Sequence, residues 1–113
     1  MNEQISFKDF LKVDIRVGKI LSVEDFPKAK KPAYKLLIDF GNEIGVKQSS
    51  AQITKLYTKE GLTGTYIVAV VNFPPKRIAG FPSEVLVLGV PDENGQTVLV
   101  VPETRVANGA RLY

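Results

Sequence analysis

The chain has 113 residues, 44% of them apolar and 24% charged, a net charge of +3, and neither histidine nor cysteine. That length and balance exclude disorder and predict one folded domain over residues 1–113. Without cysteine there is no disulfide, no thiolate nucleophile and no cysteine-ligated metal, and without histidine the usual general base is missing.

Ser6 to Leu11 (SFKDFL) reads as a single helical turn, with Ser6 capping the free N–H groups and Asp9 completing a capping box. So short a helix needs something to dock on. From Asp14 to Glu24 apolar and polar residues alternate, which predicts a half-buried strand. Ile15, Val17, Leu21 and Val23 fall on one face, and Arg16, Gly18, Ser22 and Glu24 mostly on the other. Gly18 in mid-strand predicts a bend or a bulge. FPKAKKPA carries two prolines in eight residues and must be a loop.

Tyr34 to Phe40 is a second strand, with Tyr34, Leu36, Ile38 and Phe40 pointing one way. GNEIG predicts a tight hairpin turn, and Ile44 to Gln48 a third strand. Ser49 or Ser50 is placed to cap a two-turn helix over Ala51 to Tyr57, whose Ile53 and Leu56 would face the core together. One serine suffices for a cap, so the second is left without a role. After a glycine-containing link, Thr65 to Asn72 is a fourth strand. FPPKRIAGFPS, with three prolines, reads as a loop. Glu84 to Val90 is a fifth strand, PDENG a hairpin turn, and Thr97 to Val101 a segment that pairs back. The tail after it is polar with a few apolar anchors.

Three strands, a helix and two more strands, with long loops after the first and fourth, is the order of an OB-fold. That fold is an all-β Greek-key barrel of five main strands with a short helix between strands 3 and 4, here carrying short terminal extensions. Its strand 2–3 face and its first and fourth loops commonly bind oligonucleotides. The charge is distributed to match. Between Phe26 and Arg77 nine cations face three acids, whereas the rest of the chain has six cations and nine acids. Such asymmetry suits an anionic partner, with ordinary solvation as the competing reading.

Catalysis is not expected. A serine nucleophile lacks its base, the adjacent Asp92 and Glu93 sit in a turn where solvation explains them, and no phosphate loop or dinucleotide fingerprint is present. No metal site and no cofactor are expected. No signal pattern opens the chain, and apolar runs such as Tyr66 to Val71 are too short to span a bilayer. A soluble, cytoplasmic protein with no membrane insertion is the expectation.

Two sets of residues could bind a partner. Lys76 and Arg77 follow two prolines that stiffen their approach, and Phe73 and Phe81 flank them. Cations interleaved with rings suit looped or single-stranded RNA, since bases stack while cations hold phosphates. Lys28, Lys30 and Lys31 add a weaker signal. Lys47, Ser49, Ser50 and Gln52 offer hydrogen bonds near the predicted helix start. If Val46 and Gln48 point inward, Lys47 and Ser49 point outward. The alternative partner is extended polypeptide, held by Phe73, Ile78 and Phe81 with Lys47, Ser49, Gln52 and Asn72 bonding its backbone.

The blocks DIRVGKI, IGVKQSSAQITKLY and AVVNFPPKRIAGFPSEVLVLG resemble the tRNA-binding domain family of OB-folds, from about Phe10 to about Ala110. That family includes C-terminal domains of some methionyl-tRNA synthetases, free-standing tRNA-binding proteins and bacterial export-related chaperones; the resemblance is greatest to the last. It implies a homodimer built partly from the terminal segments. It also implies binding of unfolded or precursor polypeptides, a link to the SecA export motor, and a tRNA-binding face. Lys28, Lys30, Lys31, Ser50, Lys76, Arg77 and Ser83 are the residues expected on that face. The family's RNA binders carry a Ser-Gln-Gly-Met-like run where this chain reads Ser83-Glu84-Val85-Leu86, and an acid there implies weaker RNA binding.

Overall fold

A computed structural model describes residues 3–113, so the first two residues of the expected 1–113 unit lie outside the described residues. The predicted first turn is helix α1 (Phe7–Leu11). The Ser6 hydroxyl accepts from the Asp9 N–H at 3.1 Å, and the Asp9 carboxylate accepts from the Ser6 N–H at 3.3 Å. No residue of α1 is buried, and Phe7 and Leu11 stand exposed.

Strand β1 (Ile15–Asp25) pairs antiparallel with β2 (Tyr34–Asp39) along its second half and with β4 (Tyr66–Val70) along its first. β2 pairs in turn with β3 (Val46–Ala51), and β4 with β7 (Leu86–Val87). The sheet order is β3-β2-β1-β4-β7, the antiparallel order of the expected OB-fold barrel. Ile20, Leu36, Ile38, Phe40, Leu62 and Ile67 fill its interior. The alternation read in β2 is the one observed.

In β1 the expected faces fail before the bulge, where Gly18 and Ile20 lie inward opposite Ile67 and Ile38, and hold beyond it at Val23, which packs on the core. A bulge lies between Ile20 and Ser22, one turn of the ladder past Gly18. It leaves Leu21 exposed at 42% and Ile20 fully buried. An extra residue on one strand shifts the parity of everything after it, so an uninterrupted alternation misassigns the faces. Gly18 belongs to the inner face. A methyl there would lie 2.5 Å from Ile38 Cγ2 and 2.7 Å from the Phe40 ring. The glycine is required by close packing, not by the bulge.

GNEIG is not a two-residue turn. It forms one helical turn, α2 (Gly41–Ile44), with Gly41 and Gly45 supplying the positive φ that reverses the chain. The expected helix over Ala51 to Tyr57 is absent. Ser49 and Ser50 continue β3, where Leu36 pairs with Ser49 and Lys35 with Ser50. Pairing with β2 and the seam described below override the weak strand preference of a Gln-Ser-Ser run. The short helix between strands 3 and 4 does exist, but later: α3 (Lys59–Leu62), capped by the Thr58 hydroxyl accepting from the Gly61 N–H at 3.0 Å. Ile53 is buried as expected, whereas Leu56 is exposed.

FPPKRIAGFPS is more ordered than a loop. β5 (Lys76–Ile78) and β6 (Phe81–Ser83) form a hairpin in which Lys76 pairs with Ser83, Arg77 with Pro82 and Ile78 with Phe81. The turn residues Ala79 and Gly80 have φ of 49° and 82°. Two positive φ values in a two-residue loop give the twist that suits a tight hairpin. The fifth strand is split, with β7 followed by β8 (Gly89–Pro91), which pairs with β9 (Thr97–Leu99) across PDENG as expected. Asp92 Oδ1 accepts from the N–H groups of Asn94 and Gln96 and holds that turn.

The tail is not merely polar coil. Residues 109–112 run beside the half of β1 that β2 leaves unpaired. The Gly109 N–H donates to the Val17 carbonyl at 2.7 Å, the Val17 N–H to Ala110 at 2.9 Å and the Leu112 N–H to Ile15 at 2.9 Å. Arg16, only 16% exposed, donates to Asp14 Oδ1 at 2.6 Å and to the Gly109 carbonyl at 3.0 Å. The Asp14 hydrogen bond holds the Arg16 guanidinium above its usual pKa.

Candidate functional site

The opposite edge of the sheet is closed by side chains. β3 has β2 on one side only. On the other side the Glu84 N–H donates to the Gln48 carbonyl at 2.8 Å, and the Gln48 N–H donates to Glu84 Oε1 at 3.0 Å. The Gln48 amide donates to the Pro82 carbonyl at 3.1 Å. The Ser50 N–H donates to the Ser83 hydroxyl at 3.0 Å, and the Ser49 hydroxyl to the Val85 carbonyl at 3.0 Å. Unpaired strand edges need partners, and this one finds them in residues 82–85. The two serines thus have separate tasks in one seam, neither of them a helix cap.

This seam anchors the β5–β6 hairpin over the barrel and leaves a cleft on each side of Lys76 and Ile78. The first, of about 420 Å³, is walled by Phe73, Pro74, Ile78, Val85 and Leu86, with Ser50, Lys76, Ser83 and Glu84 as polar groups. Phe73 is 52% exposed there. The second, of about 430 Å³, is lined by Lys28, Lys30, Lys31, Lys76 and Arg77, with Ser50 and Gln52 beside them. No acid lines the second cleft. The loop after β1 and the hairpin after β4, far apart in sequence, bring these five cations together.

The residues expected to bind therefore separate. Lys28, Lys30, Lys31, Ser50, Lys76 and Arg77 share one cleft, while Ser83 lines the other, which Ser50 and Lys76 also border. Of the polypeptide set, Phe73 and Ile78 share the apolar cleft, and Gln52 borders the basic one. Phe81 does not join them. Its ring meets the buried Phe26 edge-on at 5.4 Å, and Lys35 Nζ lies 5.2 Å from its centroid. The ammonium covers a ring face that a base or apolar side chain would need.

Three more polypeptide-set residues need correction. Ser49 does not face outward. Directly paired residues share a face, Leu36 is its partner, and Ser49 is fully buried with its hydroxyl bonded in the seam. Lys47 sits opposite Ile38 and lines neither cleft. Asn72 uses its amide inside the chain, accepting from the Asp14 N–H at 3.0 Å and donating to the Lys12 carbonyl at 2.7 Å. It ties the segment after α1 to the end of β4.

Pro74, Val85, Leu86 and Glu84 were not singled out as binding residues. Glu84 and Val85 are placed by the seam, and Pro74 and Leu86 come beside them only in three dimensions. A larger hollow of about 630 Å³ lies between α3 and residues 98–105, walled by Tyr57, Leu62, Tyr66 and Val101. It contains none of the expected binding residues.

A family model described as "Putative tRNA binding domain" matches residues 15–111. The chain is 54% identical to the chaperone CsaA of Bacillus anthracis str. Ames, whose crystal structure superposes with a TM-score of 0.92 over 98% of this chain and 100% of that one. It is 53% identical to the CsaA chaperone protein of Picrophilus torridus, with a TM-score of 0.91 over 97% and 100% of the two chains. It is also 39% identical over 110 residues to methionine–tRNA ligase of Thermococcus onnurineus (strain NA1), a match that takes in 97% of this chain. The chain spans only 14% of that ligase's length. Among the described residues no helix is long and apolar enough to cross a membrane.

Proposed function

Since the chain belongs to the tRNA-binding domain family, we propose that it serves as an export-related chaperone that binds unfolded or precursor polypeptides. Similarity to two CsaA chaperones over essentially the whole of both chains supports this reading. The observation that carries it is the apolar cleft with half-exposed Phe73, bordered by the hydroxyl of Ser83 and the carboxylate of Glu84. An apolar client side chain would seat against Phe73, Ile78 and Leu86, while the polar rim bonds the client backbone. Binding is passive and needs no nucleotide. The working form is a cytoplasmic homodimer of single-domain 1–113 units that cooperates with the SecA motor, and no catalysis is involved.

Phe73→Ala tests this. The variant should lose roughly tenfold in affinity for a labelled unfolded secretory-protein fragment, the effect of removing one large apolar contact. Unchanged affinity in a folded variant rules the cleft out. Lys47, Ser49, Asn72 and Phe81 are left out of the contact set for the geometric reasons given above.

A second reading, tRNA binding, is favoured by one specific feature: five cations and no acid around a single cleft. Lys28, Lys30, Lys31, Lys76 and Arg77 would hold successive phosphates, with Ser50 at the junction and Ser83 in the adjoining cleft.

A further inference from the structure

The two clefts adjoin across Ser50, Lys76 and Ile78, which line both. They differ in charge. The basic cleft holds five cations, and the apolar one holds Lys76 together with a carboxylate, Glu84. That carboxylate is held in place. Glu84 Oε1 accepts from the Gln48 N–H at 3.0 Å while the Glu84 N–H donates to the Gln48 carbonyl at 2.8 Å. The side chain is therefore held against the β3 edge, and moving it away costs the Gln48 N–H its partner.

We propose that Glu84 is the specificity-determining residue of this groove, admitting polymers that present N–H donors and turning away those that present phosphate. A phosphodiester chain led along the cations of the basic cleft meets a fixed negative charge on passing Ser50 and Lys76. Phosphate oxygens only accept hydrogen bonds, so the carboxylate offers them repulsion alone, which Lys76 offsets only in part. An extended polypeptide meets the same carboxylate with backbone N–H groups, and carboxylates accept such bonds well. The cations would still attract RNA to the neighbourhood, and Glu84 decides how far along the groove it lies. This role rests on the reading of the groove as a polypeptide site.

Glu84→Gln keeps an oxygen for the Gln48 N–H and removes the charge. Affinities of the parent and the variant are measured separately for a tRNA at low salt and for a labelled unfolded polypeptide. The tRNA affinity should rise roughly three- to tenfold, the worth of one like charge at groove distances. The gain should shrink toward nothing by about 0.5 M salt. Polypeptide affinity should stay level or fall. Ser50→Asp is the complementary variant, placing a second charge at the junction without touching the Glu84–Gln48 pair. It should weaken tRNA binding and spare polypeptide.

Unchanged tRNA affinity in Glu84→Gln overturns the proposal. So does a gain that persists at high salt, because that reports a reshaped cleft. Ser50→Asp weakening both polymers equally also overturns it. If the parent binds no polypeptide but Glu84→Gln gains salt-sensitive tRNA affinity, the chaperone reading fails and the exclusion of phosphate stands. If polypeptide binds and tRNA affinity does not move, the reverse holds.

Discussion

The Ser49 hydroxyl donates to the Val85 carbonyl at 3.0 Å inside the barrel, with Ser49 fully buried. This bond and the Gln48–Glu84 pair beside it join β3 to the chain entering β7, so the seam depends on side chains where a longer ladder would use backbone. Ser49→Ala leaves the Val85 carbonyl without that donor. The cost should be about 1–3 kcal/mol, the range for a buried polar group stripped of its partner. A urea titration should show a lower midpoint with an unchanged slope. An unchanged midpoint would mean that the seam closes without this bond.

Gly18 faces Ile38 and Phe40 at distances that no Cβ tolerates. Ile38 and Phe40 are themselves fully buried, so neither can yield without displacing the rest of the core. Gly18→Ala should destabilise by roughly 1–3 kcal/mol as an overpacked site. Thermal unfolding checks this, and the melting temperature should fall by several degrees for a domain of this size.

What could be read in the sequence followed from local rules that tertiary contacts did not override. The capping box at Ser6 and Asp9, the alternation of β2 and the Asp92 turn each depend on residues within a few positions of one another. The strand order was legible because barrel topology follows from the sequence of elements. The errors arose where a distant partner decides. Ser49 and Ser50 look like caps until Lys35, Leu36, Ser83 and Val85 are placed around them. The bulge after Ile20 inverts the parity of β1, and no residue type announces it. Of the candidate site, the cations were legible as a set because their charge asymmetry survives any folding. The placing of Phe73 in a separate, adjoining cleft was not, because the hairpin between the two reads as a proline-rich loop.

Ala79 is the one described non-glycine residue with positive φ, at 49°, and it sits beside Gly80 in the turn of the β5–β6 hairpin. A side chain in the left-handed region costs about 1–2 kcal/mol, part of which glycine returns as greater freedom in the unfolded chain. Ala79→Gly should therefore stabilise the protein by roughly 0.5–1 kcal/mol. Ala79→Val should destabilise it, since a β-branched residue tolerates this conformation poorly. Denaturant titrations of both variants read the two signs, and a destabilised glycine variant would contradict the turn geometry.

Lys76 and Arg77 occupy the hairpin strand that faces the five-cation cleft, and Arg77 spends one guanidinium N–H on the Gly80 carbonyl at 3.0 Å. The remaining donors of both residues are available to phosphate. Each phosphate neutralised on single-stranded nucleic acid contributes about 0.7 to the slope of log affinity against log salt. Replacing both residues with alanine should therefore lower the magnitude of that slope for tRNA by roughly 1.4. The hairpin should survive, because its pairing is made by backbone groups and the Arg77 bond to the Gly80 carbonyl is solvent-exposed. Polypeptide affinity should change far less, since Phe73, Val85 and Leu86 in the adjoining cleft are untouched. Fluorescence anisotropy at four or more salt concentrations measures the slope. A parent slope near zero would remove RNA from the list of partners, and an unchanged slope in the double variant would move the phosphate track to the Lys28–Lys31 loop alone.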